Sequence, residues 1–176
     1  AAEVDITPPN GTPMAGYYAM RPSTGVLDPI FAKAIVVEQD GRKVAIVALD
    51  LTYTTRPVVV AARELIAART GIAGDHVMIS ATHTHSGPCT IRLEGCGDRD
   101  EAYTAWLATR LQQLAATVRA GVADCVPVVF EGRLDLAIDR RGQPSAHTDP
   151  RLAVIGFQRA DGGFAGEVAG RRVQRL

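Results

Sequence analysis

Two short apolar runs joined by one amphipathic segment constrain the fold of this chain most strongly. Residues 43–50 (KVAIVALD) are almost entirely apolar, as in a strand buried on both faces, and residues 77–82 (VMISAT) form a second such run. Between them, a segment from Thr54 to about Arg69 has Pro57 in its first turn and apolar side chains at helical spacing. Strand, helix and strand within about forty residues predict a βαβ unit with parallel strands.

A second strand pair and a second helix surround this unit. Residues 32–39 are rich in β-branched side chains, and Asp40-Gly41 separates them from the run 43–50, which predicts an antiparallel hairpin. Asp98 or Asp100 can cap a later helix. The apolar stripe of that helix is formed by Tyr103, Leu107, Leu111, Leu114 and Val118. The predicted fold class is therefore α/β, with a mixed β-sheet, an antiparallel hairpin, a βαβ unit and flanking helices.

The last third of the chain alternates between predicted strands and turns. Strands are expected over 126–138, 152–157 and 164–168, with turn-rich segments between them. Residues 170–176 show no pattern and are predicted to form a frayed tail. The length of 176 residues predicts a single α/β domain over 1–176.

Composition excludes several classes of protein. The apolar fraction of 47% excludes intrinsic disorder, and 19 basic residues balance 19 acidic ones, which argues against nucleic acid as a partner. No apolar run approaches the roughly 20 residues that a membrane-spanning helix needs. The chain begins Ala1-Ala2-Glu3, which fits either a removed signal peptide or a trimmed chain, and Cys89 and Cys96 are close enough to form a disulfide. We therefore predict a secreted or periplasmic protein, while unpaired thiols, including Cys125, and a cytoplasmic location stay open.

The segment that follows the second buried strand carries the candidate chemistry. His83 and His85 are two residues apart, so both imidazoles share one side if the backbone is extended, and together they could chelate a divalent metal, most commonly zinc. Asp50 ends the neighbouring parallel strand at the same edge of the sheet, where ligand sites gather in α/β folds. Asp50 could bind the metal or orient an imidazole. Gly87 and Pro88 turn the chain and leave Ser86 nearby.

Structural roles are open for each of these residues. The two histidines could simply cap the strand, and Asp50 could cap a turn with Thr52. His76 lies seven residues before His83, about 23 Å along a strand, and is expected on the surface at the opposite end. His147 lies in a polar loop that the pattern does not place. Tyr103 and Trp106 are expected in the core of a helix rather than in a substrate pocket.

The segment Ser80–Pro88 (SATHTHSGP) resembles the signature of the neutral/alkaline ceramidases, the non-lysosomal zinc amidases. Further stretches resemble the opening part of that family's catalytic domain, in the same order along nearly the whole chain. They are Asp5–Pro9, Met14–Tyr17, Asp28-Pro29, Asp50-Leu51, the helix containing Arg63, Arg140-Arg141, and Asp149-Pro150 with Val154.

The resemblance implies a zinc-dependent hydrolysis of the amide bond of N-acylsphingosine or a related lipid amide. The resemblance further implies that His83 is a zinc ligand, that His85 contacts the substrate or the attacking water, and that Asp50 supports the site. It also implies a ceramide-like partner and a peripheral contact with a membrane. The sequence departs from the family after Asp149-Pro150, because residues 164–176 contain no histidine where the family places its second zinc-binding histidine. The family's remaining ligands, a Glu and a Tyr, and its serine-containing catalytic segment lie farther downstream.

Three hypotheses follow from these observations. The first is a ceramidase-like zinc amidohydrolase, whole or as a fragment of the active enzyme. The second is a non-catalytic relative that keeps a weak metal- or ligand-binding His-x-His site. The third is a small α/β hydrolase of another kind that recruits Asp50, Glu94, Asp98 or His147 as further ligands.

Overall fold

A computed structural model describes residues 1–94, 97–119, 123–135 and 148–171. The chain divides into two compact units, Ala1–Val122 and Ala123–Leu176. The prediction of one domain over 1–176 stays a prediction, and each unit is described by itself.

Unit 1 contains the predicted sheet and both helices. In chain order its described elements are β1 (Ala2–Asp5), β2 (Pro13–Met14), β3 (Arg21–Pro22), β4 (Phe31–Gln39), β5 (Arg42–Leu49), α1 (Arg56–Thr70), a 3₁₀ turn (Gly74–His76), β6 (Val77–Ala81) and α2 (Glu101–Arg119). The main sheet has the strand order β1-β4-β5-β6, and β2 pairs with β3 in a small separate sheet.

Two strand pairings of the main sheet were predicted from the sequence, and both are present. Strands β4 and β5 are antiparallel neighbours, and Asp40 and Gly41 between them have φ of 51° and 76°, the positive values that a tight type I′ turn requires. Strands β5 and β6 are parallel and joined through α1. The predicted fold class, a mixed α/β sheet with a hairpin, a βαβ unit and flanking helices, is confirmed.

The core lies on one face of this sheet. Ala45, Val47 and Leu49 of β5 are buried, and they belong to apolar clusters that also contain side chains of α1 and α2. Val44, on the other face of β5, is 46% exposed. The prediction that this strand is buried on both faces is therefore wrong. In the part of the chain that the structure describes, both helices pack against the same face.

The helices begin and end largely where the sequence predicts. Helix α1 follows Thr55, whose side chain makes no capping hydrogen bond, and ends at Gly71 in the left-handed conformation with φ of 74°. Helix α2 is capped by Asp100, whose Oδ1 accepts a 2.8 Å hydrogen bond from the backbone N–H of Tyr103. All five side chains of the predicted apolar stripe of α2 are buried.

Unit 2 is an antiparallel meander of β7 (Val126–Arg133), β8 (Arg151–Gln158) and β9 (Phe164–Arg171). The rings of Phe130 and Phe164 meet across Gly156, where an added Cβ would lie 2.5 Å from Phe164. The end of the predicted strand 126–138 and the expected frayed tail lie partly outside the described residues, although β9 itself continues to Arg171. Among the described residues, neither helix is long and apolar enough to cross a membrane.

Candidate metal centre

The parallel pairing of β5 and β6 brings Asp50 and the histidine motif to one edge of the sheet. Beyond the ends of the two strands, the N–H of Thr82 donates to the carbonyl of Leu49 at 2.9 Å, and the N–H of Thr84 donates to that of Leu51 at 3.2 Å. The hydroxyl of Thr52 also donates to the carbonyl of Thr84 at 2.7 Å. These bonds fix the backbone on both sides of His83.

His83 itself leaves the extended conformation. Its φ is 62°, in the left-handed region that non-glycine residues rarely occupy. The expectation of an extended backbone here, from which we predicted that both imidazoles share one side, is therefore wrong. The His83 ring is instead held by a 3.0 Å contact of Nδ1 with the carbonyl oxygen of Thr52 and by an edge contact with the Tyr53 ring, 5.1 Å between centroids.

The two imidazoles nevertheless meet. Nε2 of His83 and Nε2 of His85 are 3.2 Å apart, and the ring centroids are 4.9 Å apart in a T-shaped arrangement. Because a carbonyl oxygen only accepts hydrogen bonds, Nδ1 of His83 carries the proton and, in the neutral ring, Nε2 presents its lone pair toward His85. This nitrogen can accept the Nε2–H of His85 or bind a metal ion.

The distance between the two nitrogens also fits a shared zinc ion. Zn–N bonds of 2.0–2.1 Å in a tetrahedral arrangement separate two ligand nitrogens by about 3.3–3.4 Å. Both histidines are solvent-exposed, so a metal has access to them. Across the described residues, however, no group of three or more His, Cys, Asp or Glu side chains is placed to hold a metal. The structure thus assembles two nitrogen donors of the type that zinc prefers.

Asp50 lies next to the motif but contacts its backbone support rather than the rings. Its Oδ2 accepts a 3.0 Å hydrogen bond from the N–H of Phe31, and its Oδ1 accepts one of 3.4 Å from the hydroxyl of Thr82. The hydroxyls of Thr82 and Thr84, the residues on either side of His83, are 2.7 Å apart. The carboxylate therefore ties β4 to the segment that carries His83, and its role in the chemistry stays a prediction.

Sequence reasoning did not identify Gly16 and Tyr17 as site residues. Residues 14–16 run alongside residues 86–88, with a bridge between Met14 and Pro88. The hydroxyls of Tyr17 and Ser86 share a short hydrogen bond, and the backbone of Gly16 lies against the His85 ring. The density of Gly and Pro in residues 10–29 predicts a long loop, either functional or mobile, but does not say which residues meet the histidines.

None of the other described candidate ligands forms a group of three with His83 and His85. His76 is exposed at the amino end of β6, where its Nδ1 is 3.2 Å from the carbonyl oxygen of Lys43, as predicted for a surface residue. Asp98 is in an ion pair with Arg92 at 3.4 Å, and Glu94 is exposed. His147 and Cys96 lie outside the described residues, so the His147 ligand hypothesis and the Cys89–Cys96 disulfide stay open.

The predicted core role of the aromatic pair on α2 is confirmed for Tyr103, which is 4% exposed and donates its hydroxyl to the carbonyl of Ile6 at 2.7 Å. Trp106 packs against it with 5.6 Å between ring centroids but is 38% exposed, so the prediction that Trp106 lies in the core is wrong.

Two solved structures have a fold similar to that of this chain. Neutral ceramidase from Pseudomonas aeruginosa aligns with a TM-score of 0.82 and 23% sequence identity, over 95% of this chain and 30% of that chain. A ceramidase in complex with C2 aligns with a TM-score of 0.81 and 23% identity, over 95% of this chain and 29% of its own. No family model and no curated protein matches the chain. The chain therefore has the fold of one region of neutral ceramidase and spans about 30% of that enzyme's length.

Proposed function

We propose that this chain belongs to a zinc-dependent amidohydrolase of the ceramidase type, which cleaves the amide bond of N-acylsphingosine or a related lipid amide. The observation that carries the proposal is the 3.2 Å approach of the two Nε2 atoms of His83 and His85, at the carboxyl edge of a sheet with the neutral ceramidase fold. Ligand sites gather at that edge in α/β sheets.

His83 is the proposed metal ligand. Its Nδ1–H is already committed to the carbonyl of Thr52, which fixes the tautomer and leaves Nε2 as the metal-binding atom. A bound zinc would polarise the amide carbonyl and lower the pKa of a coordinated water. Because catalytic zinc sites use three protein ligands, the proposal requires further ligands from residues outside the described ranges.

His85 is the proposed partner of the substrate or of the attacking water. Its Nε2 points to the same place as Nε2 of His83, so its N–H can donate to an oxygen held there. Asp50 would act indirectly, because its carboxylate accepts a hydrogen bond from the hydroxyl of Thr82, the residue before His83. We expect Asp50 to affect the position of the site more than the proton transfers.

A lipid-like partner is supported by the loop that follows Tyr17. Tyr18 and Leu27 are both 97% exposed, and Met20 and Val26 are also largely exposed. Tyr18 and Met20 precede β3 and Val26 and Leu27 follow it, and exposed large apolar side chains of this kind can contact an acyl chain or a membrane surface. The predicted secretion or periplasmic location stays a prediction.

An alternative function is a non-catalytic relative with a weak metal site. The absence of a three-residue ligand group among the described residues favours it, because two imidazoles alone bind zinc weakly.

Zinc content of the purified protein and of His83→Ala tests the metal site. We expect zinc binding in the unchanged protein and at least about tenfold weaker binding in His83→Ala, with His76→Ala as the matched control at the opposite end of β6. An unchanged protein that retains no zinc at micromolar metal contradicts zinc-dependent catalysis by this chain, and a site that fills only at higher zinc supports the non-catalytic alternative.

Hydrolysis of an N-acylsphingosine with a fluorescent acyl chain separates the two functions. The enzyme proposal predicts release of the fatty acid that depends on zinc and on His83. Zinc binding that depends on His83, without release of the acyl chain by the zinc-loaded protein, supports the non-catalytic alternative instead.

A further inference from the structure

We propose that Gly16, together with the hydrogen bond between Tyr17 and Ser86, positions the His85 ring so that its Nε2 faces His83. The inference deepens the proposed function, because it concerns the second imidazole of that site. Gly16 meets the Cγ and Nδ1 side of His85 and Tyr17 meets Ser86, so both act through His85 and are positioning residues in this account.

The backbone of Gly16 forms a wall against the His85 ring. A Cβ added at Gly16 would lie 2.6 Å from both Cγ and Nδ1 of His85 and 2.9 Å from its Cβ. Real Cβ atoms do not approach other heavy atoms this closely, so only glycine leaves room for the ring in its present place. The wall touches the Nδ1 side of the imidazole, which leaves Nε2 on the open side, 3.2 Å from Nε2 of His83.

The backbone next to Gly16 is hydrogen-bonded to the segment that follows His85. The N–H of Ala15 donates to the carbonyl of Gly87 at 2.8 Å, and the N–H of Ser86 donates back to the carbonyl of Ala15 at 3.3 Å. Two residues further along, the N–H of Cys89 donates to the carbonyl of Pro13 at 2.8 Å. Gly16 therefore cannot drift away from His85 unless these backbone bonds break.

The side chain of Tyr17 adds a second attachment. Its hydroxyl bonds to the hydroxyl of Ser86, the residue after His85, and the guanidinium of Arg21 lies over its ring at 4.5 Å. Arg21 belongs to β3, which pairs with β2, so the β2–β3 hairpin holds the guanidinium that packs on the Tyr17 ring. Ser86 has a φ of 71°, which is strained for serine and needs support from surrounding contacts of this kind.

An exposed histidine needs such support to hold one orientation. A free imidazole samples several rotamers, and only one of them directs Nε2 toward His83. Contacts that restrict the ring before any ligand arrives remove this ordering cost from the binding step. We infer that the pairing of residues 13–17 with residues 86–89 preorganises the site.

Substitution of Gly16 by alanine tests the proposal, with Gly11→Ala as its matched control. The two glycines lie on either side of β2 at similar positive φ, 96° for Gly16 and 90° for Gly11, but a Cβ at Gly11 meets nothing within 4 Å. Both variants place an alanine at a similar positive φ, so the difference between them reports mainly the contact with His85. The readout is NMR of metal-free protein labelled at its four histidines.

We expect a cross-peak between the ring protons of His83 and His85 in the unchanged protein and in Gly11→Ala. The cross-peak should be lost in Gly16→Ala, while the signals of His76 stay in place as the reporter of intact folding. If Gly16→Ala unfolds, Tyr17→Phe provides the second test, with Tyr18→Phe as its exposed control. Tyr17→Phe should weaken the cross-peak and Tyr18→Phe should not.

A cross-peak of unchanged strength in Gly16→Ala, or in Tyr17→Phe where Gly16→Ala does not fold, overturns the proposal. So does its absence from the unchanged protein. The measurement needs no metal, so a protein that fails to bind zinc contradicts the proposed function and leaves this test intact.

Discussion

Tyr103 gives the sharpest test of how unit 1 is held together. Its hydroxyl donates a 2.7 Å hydrogen bond to the carbonyl of Ile6, and both residues are almost completely buried. Tyr103→Phe removes the donor and leaves the carbonyl without it in an apolar core. An unsatisfied buried acceptor costs about 1–3 kcal/mol, so we expect Tyr103→Phe to lower the free energy of unfolding by that amount at pH 8.

The stability difference between the unchanged protein and Tyr103→Phe should become smaller at high pH. Burial raises the pKa of Tyr103 well above its ordinary value of 10.0, and the nearby charges of Asp5 and Asp100 raise it further. The unfolded state therefore releases the phenolic proton from about pH 10 while the folded state keeps it, so stability is complete below pH 10 and falls as the pH rises above it. At pH 11, one unit above the unfolded pKa, the loss is about 1.4 kcal/mol. Phenylalanine cannot ionise, so this loss is absent from Tyr103→Phe.

Urea unfolding followed by tryptophan fluorescence measures both effects. Trp106 is the chain's single tryptophan and packs against Tyr103, so its emission reports unit 1. We expect the stability difference between the unchanged protein and Tyr103→Phe to shrink by about 1.4 kcal/mol from pH 8 to pH 11. Tyr18→Phe, at a position 97% exposed, should follow the unchanged protein throughout. A difference between the first two proteins that stays constant with pH would refute the account of Tyr103.

Two further substitutions test the packing and capping of α2. Asp100→Ala removes the acceptor for the N–H of Tyr103 and should lower the free energy of unfolding by about 1 kcal/mol, with Asp100→Asn as the control that keeps a capping oxygen; equal stability of the two variants would contradict the cap. Leu107→Ala empties a site that is 1% exposed and should cost about 2–5 kcal/mol in the same urea assay, whereas a cost below about 1 kcal/mol would show that this position is not packed as described.

The secondary structure of unit 1 was predictable because its signals are local. Asp40-Gly41 specifies its turn through the φ angles of two adjacent residues, and the stripe from Tyr103 to Val118 specifies which face of α2 is buried. The burial of β5 was not predictable in the same way. An almost purely apolar strand fits burial on one face or on two, and the outcome depends on where the helices pack.

The convergence of Asp50 and His83 was predictable, but the geometry of the candidate site was not. The parallel strands bring Asp50 and His83 to one edge by topology alone. The meeting of the two rings depends instead on the left-handed backbone of His83 and on the wall formed by Gly16, a residue distant in sequence. Contacts between distant loops leave no periodic pattern, so only the Gly- and Pro-rich composition of residues 10–29 indicated a special segment.

The distribution of backbone strain connects these observations. Among the described residues, Asp40, His83 and Ser86 are the non-glycine residues with positive φ. Asp40 needs its value to close a hairpin, but His83 and Ser86 are not in a hairpin turn, and they flank His85. Such conformations cost about 1–3 kcal/mol each and persist only where surrounding contacts impose them. Here those contacts are the bonds from Thr82 and Thr84 to β5 and its extension on one side, and from Ser86 to residues 15–17 on the other. The two strained positions bracket His85, which supports the proposal that residues 13–17 and 86–89 together orient the two rings.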